Sequence, residues 1–169
     1  MSILTKALLL IAALGLAACN NPDRMRDGAG GPGTGVGIGA LGDPADPNSV
    51  AYFNQTIGDR VLFAVDTSTL TPEGRMVLQG QAQWLASHPT YGAIIEGHAD
   101  EQGTREYNLA LGARRASAVQ DFLISQGVDL ARLRTVSYGK ERPLAVCSDE
   151  ACYSQNRRAV TVLQAGAGA

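Results

Sequence analysis

Three charged residues carry the chemical interest of this sequence: Asp66, Asp100 and Arg115. From residue 105 onward, Asn108, Gly112, Arg115, Val119 and Phe122 recur at spacings of three and four, so a helix places them on one stripe. Arg114 falls on another stripe, with Ala118, Asp121 and Ser125. Arg115 is therefore expected to face the core beside Val119 and Phe122, and Arg114 to face solvent. A guanidinium on a buried face needs an anion, because a desolvated unpaired charge costs several kcal/mol. Gly112, one turn earlier, leaves room for such an anion to approach. Asp66 and Asp100 are the available carboxylates, one after each of the first two expected strands. Two arrangements satisfy this chemistry. One is an internal ion pair tying helix to sheet, the other a site where Arg115 meets an anion from outside, and the residues alone leave both open. A hydrolase using Asp66 and Asp100 as its two carboxylates is disfavoured, since Arg115 beside them would hold a carboxyl ionised.

The elements that must position these groups can be read in order. Arg60-Val61-Leu62-Phe63-Ala64-Val65 reads as a buried strand ending at Asp66. Thr71-Pro72-Glu73 then starts a helix, with Thr as N-cap, Pro in the first turn and an acid to meet the helix dipole. Val77, Leu78, Gln81, Ala82 and Leu85 keep its period, and His88-Pro89 ends it. A second strand, Ala93-Ile94-Ile95, runs into Glu96-Gly97-His98-Ala99-Asp100, and a long helix follows from about Arg105 to Gln126, stopped by Gly127. Residues 134–138 form a third strand and residues 158–163 a fourth, with a loop holding Cys147 and Cys152 between them. The order β-α-β-α-β-β implies an α/β sandwich with its two main helices on one face of the sheet.

The ends of the chain have a different character. Fourteen of the first 18 residues are apolar and Lys6 is the one charge, a pattern of export rather than of a folded element. The apolar run is too short to span a bilayer. Leu16-Ala17-Ala18-Cys19 resembles the bacterial lipobox, which implies acylation of Cys19 after cleavage and an anchor of about 0.8 kcal/mol per buried CH₂. Asn20 after the lipid site is compatible with delivery to the outer membrane. Residues 1–18 are thus a signal peptide, 19–49 a lipidated N-terminus and flexible tether with eight Gly and four Pro between residues 20 and 49, and 50–169 the folded domain. Residues 19–169 hold 13 basic and 16 acidic groups, and aromatics are scarce, which argues against a nucleic-acid partner. No metal or cofactor is expected: His98 has no second His near it, and the Cys147–Cys152 spacing is not that of a zinc or redox motif. In an exported chain those two cysteines are expected to form a structural disulfide.

The runs Glu96-Gly97-His98-Ala99-Asp100-Glu101-Gln102-Gly103-Thr104 and Tyr107-Asn108-Leu109-Ala110-Leu111-Gly112-Ala113-Arg114-Arg115-Ala116 resemble the OmpA-like peptidoglycan-binding domain. Ser137-Tyr138-Gly139-Lys140 and Asn156-Arg157-Arg158-Ala159 continue the likeness, over about residues 55–165. The resemblance implies a mixed sheet and a non-catalytic domain that grips the diaminopimelate residue of the peptidoglycan stem peptide. By that likeness Asp100 holds the ligand ammonium, Arg115 grips its carboxylate, Asn108 and Leu109 line the pocket, and Asp66 supplies a further acid. Val65 stands where the family favours an aromatic residue. Asn156 and Arg157 are family signature positions of lower rank, whose role could be structural. With the lipobox, the resemblance further implies an anchor in the outer membrane and partnership with Tol proteins, TolB among them. A flagellar stator component of the same superfamily is the less favoured relative, because stators carry a true transmembrane helix.

Overall fold

The computed structural model describes residues 41–166, so the expected signal peptide, Cys19 and most of the tether lie outside the described residues. The last residues of the expected tether already bond to the domain. Trp84 Nε1 donates to the Pro47 carbonyl at 2.8 Å, and a ring nitrogen of His88 lies 3.1 Å from Asn48 Oδ1. Ser49 then caps a short helix α1 (Val50–Tyr52) by accepting from the Tyr52 N–H, and the chain continues in wider π-type turns through Phe53–Gly58. Phe53 fixes this segment: it is fully buried, edge-on to Trp84 with ring centres 5.1 Å apart.

One four-stranded mixed sheet follows, built from β1 (Arg60–Leu62), β2 (Tyr91–His98), β3 (Leu133–Gly139) and β4 (Arg158–Ala165) in the spatial order β1-β4-β2-β3. β4 runs antiparallel to both neighbours, whereas β2 and β3 are parallel, as the intervening helical crossover requires. Helix α2 (Pro72–Ser87) begins at the Thr71 cap, whose side chain accepts from Gly74 N, and α3 (Arg105–Ser125) begins at Thr104 in the same way. Gly127, at φ +95°, turns the chain out of α3. Leu78, Leu85, Val119 and Leu123 from these helices meet Val61, Ala93, Ile95 and Ala159 from the sheet in one core. The α/β class, the mixed sheet and the two principal helices match the sequence reading.

Two elements differ from it. β1 ends at Leu62 rather than Val65, because its partner strand starts at Arg158, opposite Leu62, and leaves later residues no ladder to join. Phe63 still donates its N–H to the Arg157 carbonyl, after which the chain bends away. The expected loop before β4 contains a helix, α4 (Glu150–Asn156), capped by Asp149 accepting from Cys152 N. Cys147 and Cys152 are joined by a disulfide, with Cα atoms 5.6 Å apart, that straddles this cap.

α3 approaches the sheet unusually closely at one point. A Cβ placed on Gly97 would stand 1.8 Å from the Gly112 carbonyl oxygen, and one on Gly112 would stand 2.4 Å from Ser137 Oγ. Backbone therefore packs on backbone where α3 crosses β2. Gly112 makes room for the sheet, and not for an anion as its position on the stripe suggested.

Candidate functional site

The crossing of α3 over the ends of β1 and β2 brings the charged residues together. Arg115 is completely buried, as its stripe implies, while Arg114 is exposed. Neither expected carboxylate is its direct partner. Its Nε donates to the Thr67 carbonyl (2.8 Å), Nη1 to the His98 carbonyl (2.8 Å) and Nη2 to the Ala64 carbonyl (3.2 Å). The guanidinium also lies over the Phe63 ring, 5.2 Å from its centre. An Arg has five N–H groups, so the three bonds leave one on each terminal nitrogen. Burial pulls the Arg115 guanidinium down to about 10, with Asp100 and Asp66 pulling the other way, so it remains charged at neutral pH.

Asp100 instead pairs with Arg157. Its Oδ2 lies 3.2 Å from Arg157 Nη1 and its Oδ1 accepts from the Gln102 N–H at 3.2 Å. Both side chains are almost wholly buried. Arg157 also donates from Nε to the Phe63 carbonyl (3.2 Å) and grips Glu150 with both terminal nitrogens, one of these at 3.2 Å. The bond to Glu150 raises the Arg157 guanidinium above its ordinary value and lowers the Glu150 carboxyl below its own.

Asp66 takes a left-handed backbone conformation, φ +53°, which Asp tolerates better than most residues. That turn carries its carboxylate to the hydroxyl of Tyr107, which donates to Asp66 Oδ1. The bond raises the Tyr107 phenol above its ordinary value. Arg114 lies over the Tyr107 ring, 5.9 Å from its centre. Asn108, 1% exposed, donates from Nδ2 to the Gln102 carbonyl at 2.8 Å, and its buried Oδ1 has no hydrogen-bond partner among the described residues.

Asp66, Asp100, Tyr107 and Asn108 line a cavity of about 240 Å³ with Val65 and Leu111, among others, whereas Arg115 and Arg157 are buried and do not line it. Small-molecule sites are usually larger, about 300–1,000 Å³, so this one suits a single polar side chain. Its lining offers two carboxylates and an unpaired amide oxygen, which is chemistry for a cation with several N–H donors. Leu109 is not part of it. One residue on from Asn108 turns the side chain about 100° round the helix, and Leu109 lines a separate depression with Arg105, Tyr138 and Glu141. Leu111, three residues from Asn108, takes that place, and the spacing rule that picked out Arg115 would have found it. Asn156 has a structural part: its Oδ1 accepts from Leu144 N (2.7 Å) and Ala145 N (3.1 Å), and its Nδ2 donates to the Ala145 carbonyl. Tyr107 escaped the sequence reading because a helix-surface tyrosine carries no signal until Asp66 is placed opposite it. Cys147, Asp149 and Cys152 approach one another like a ligand set, but the two sulfurs are bonded together and offer no thiolate.

The same arrangement of elements recurs in known proteins. A model described as the OmpA family matches residues 62–157. A peptidoglycan-associated lipoprotein of Agrobacterium fabrum is 54% identical over 92% of this chain and 85% of its own length, and one of Legionella pneumophila is 39% identical over 94% and 93%. The crystal structure of the peptidoglycan-associated lipoprotein from Burkholderia pseudomallei, 43% identical, superposes with a TM-score of 0.65 over 74% of this chain and 99% of that one. The C-terminal domain of Helicobacter pylori MotB, 21% identical with a TM-score of 0.59, shares the fold.

Proposed function

The chain belongs to the OmpA family and, within it, to the peptidoglycan-associated lipoproteins, and from that membership we propose that it binds the cell wall non-covalently through the Asp66–Asp100 cavity. The ligand is the diaminopimelate side chain of the stem peptide, which carries an ammonium and a carboxylate on one carbon. Asp100, Asp66 and the unpaired Asn108 Oδ1 receive the ammonium. Arg115, buried behind the lining and held by three carbonyls, supplies the positive charge that the ligand carboxylate meets, a role taken from the family likeness. The observation that carries this reading is the buried Asn108 oxygen, without a partner among the described residues, on a side chain that lines a cavity with two acids, since an unsatisfied buried acceptor costs about 1–3 kcal/mol unless something reaches it.

Cys19 bears the lipid, the outer membrane holds the chain, and the tether lets the domain reach the wall. Partnership with Tol proteins, TolB included, rests on the family and is tested by co-purification from membranes. No bond is broken in this function: the site holds and does not hydrolyse. Incubation of the protein with purified sacculi separates the two chemistries. Sedimentation of the protein without soluble fragments is the expected result, and release of fragments would establish a hydrolase.

A further inference from the structure

We propose that Glu150, which lies outside the cavity, is a positioning residue for it, and that it acts by occupying Arg157 so that Asp100 keeps its charge for the ligand. The inference rests on the binding reading above. Arg157 is 4% exposed and sits between two acids. Its Nη1 is shared, at 3.2 Å from Asp100 Oδ2 and 3.2 Å from Glu150 Oε2, while Nη2 is committed to Glu150 Oε1. Asp100 thus receives one N–H from a guanidinium whose preferred grip on a carboxylate is two-pronged. The two-pronged grip goes to Glu150.

Without the Glu150 carboxylate, both terminal nitrogens of Arg157 would lose an acceptor. Among the described residues the only other carboxylate bonded to the guanidinium is Asp100, and a bidentate pair there would offset the charge that a ligand ammonium must find. The local charge changes in the same direction. Removing Glu150 takes one negative charge from the neighbourhood of Arg157 and Asp100 and so weakens the attraction for a cation.

The position of Glu150 is itself prepared. It is the first residue of α4, whose N-terminal turn is fixed by the Asp149 cap and by the Cys147–Cys152 bridge. A glutamate there also suits the helix dipole, so the local sequence supports the geometry that the site requires.

The test uses the mature protein, its Glu150→Gln and Glu150→Asp variants, and two stem peptides, one with free diaminopimelate and one with the side-chain amine acetylated. Calorimetry on the wild type is expected to show tighter binding of the free amine. Because Glu150 is largely exposed, Glu150→Gln should weaken that peptide about three- to fivefold. It should leave the acetylated peptide unchanged, and Glu150→Asp should recover part of the loss. Equal effects on both peptides, or no effect on either, would overturn the proposal and leave Glu150 as a helix anchor, which moves the melting temperature but not the preference for the amine. A wild type that ignores acetylation would instead overturn the binding reading on which the proposal stands.

Discussion

Replacing Arg115 with Ala removes a cation that three carbonyls from two stretches of chain share, and the cost can be worked from its bonds. The Ala64 and Thr67 carbonyls belong to the bend after β1, and the His98 carbonyl belongs to the end of β2. Bonds from charged donors contribute about 1.5–3 kcal/mol each, and carbonyls left unsatisfied in the interior cost about 1–3 kcal/mol each. The two figures describe the same loss and do not add, and water entering the space recovers part of it. The expected destabilisation is about 4–6 kcal/mol, a large share of the 5–15 kcal/mol typical of a domain. Arg115→Lys keeps the charge but not the fork, and should fall about midway. Arg114→Ala, one residue away, loses only an exposed contact with Tyr107 and should cost under about 1 kcal/mol. Urea unfolding of the three mature variants, followed by circular dichroism, measures the series. A loss below about 1.5 kcal/mol for Arg115→Ala would refute the cradle, because the carbonyls would then not depend on the guanidinium.

Asp100→Asn keeps the shape of the side chain while removing its charge, and should weaken binding to sacculi by about 2–5 kcal/mol with little change in the circular dichroism spectrum, measured by co-sedimentation across protein concentrations. Burial, reinforced by Arg158 and Arg142, lowers His98 to about 4 from an ordinary 6.5. The unfolded chain therefore binds the proton first: the stability due to the neutral ring is complete above pH 6.5 and is lost as pH falls toward 4, by up to about 3 kcal/mol. Urea midpoints for wild type and His98→Gln should converge as pH falls from 7 to 5, and parallel curves would contradict this. Replacing both Cys147 and Cys152 with Ser opens a short loop and should cost about 2 kcal/mol, read as a lower urea midpoint, whereas free thiols in the purified exported protein would show that the bridge does not form.

The amphipathic periods and the caps were legible in the sequence because they are local. Thr71 and Pro72 mark the start of α2, Gly127 marks the end of α3, and a 3.6-residue repeat puts Arg115 inward and Arg114 outward. The signal in Asp149-Glu150 for α4 was local too, an N-cap followed by an acid, but two cysteines and a short span made the segment look like a loop. What the sequence did not contain was the choice of partners. Asp100 and Arg157 stand 57 residues apart, and Arg115 could have met either acid as far as its stripe was concerned. Only the tertiary structure decided that Arg115 would be satisfied by carbonyls and Asp100 by Arg157. The physical reason is that β1 runs out of partner at Arg158 and bends, which turns the Ala64 and Thr67 carbonyls toward Arg115 on α3. Carbonyl acceptors belong to every residue, so no side-chain pattern announces them, and they acquire an address only when strands and helix are packed together.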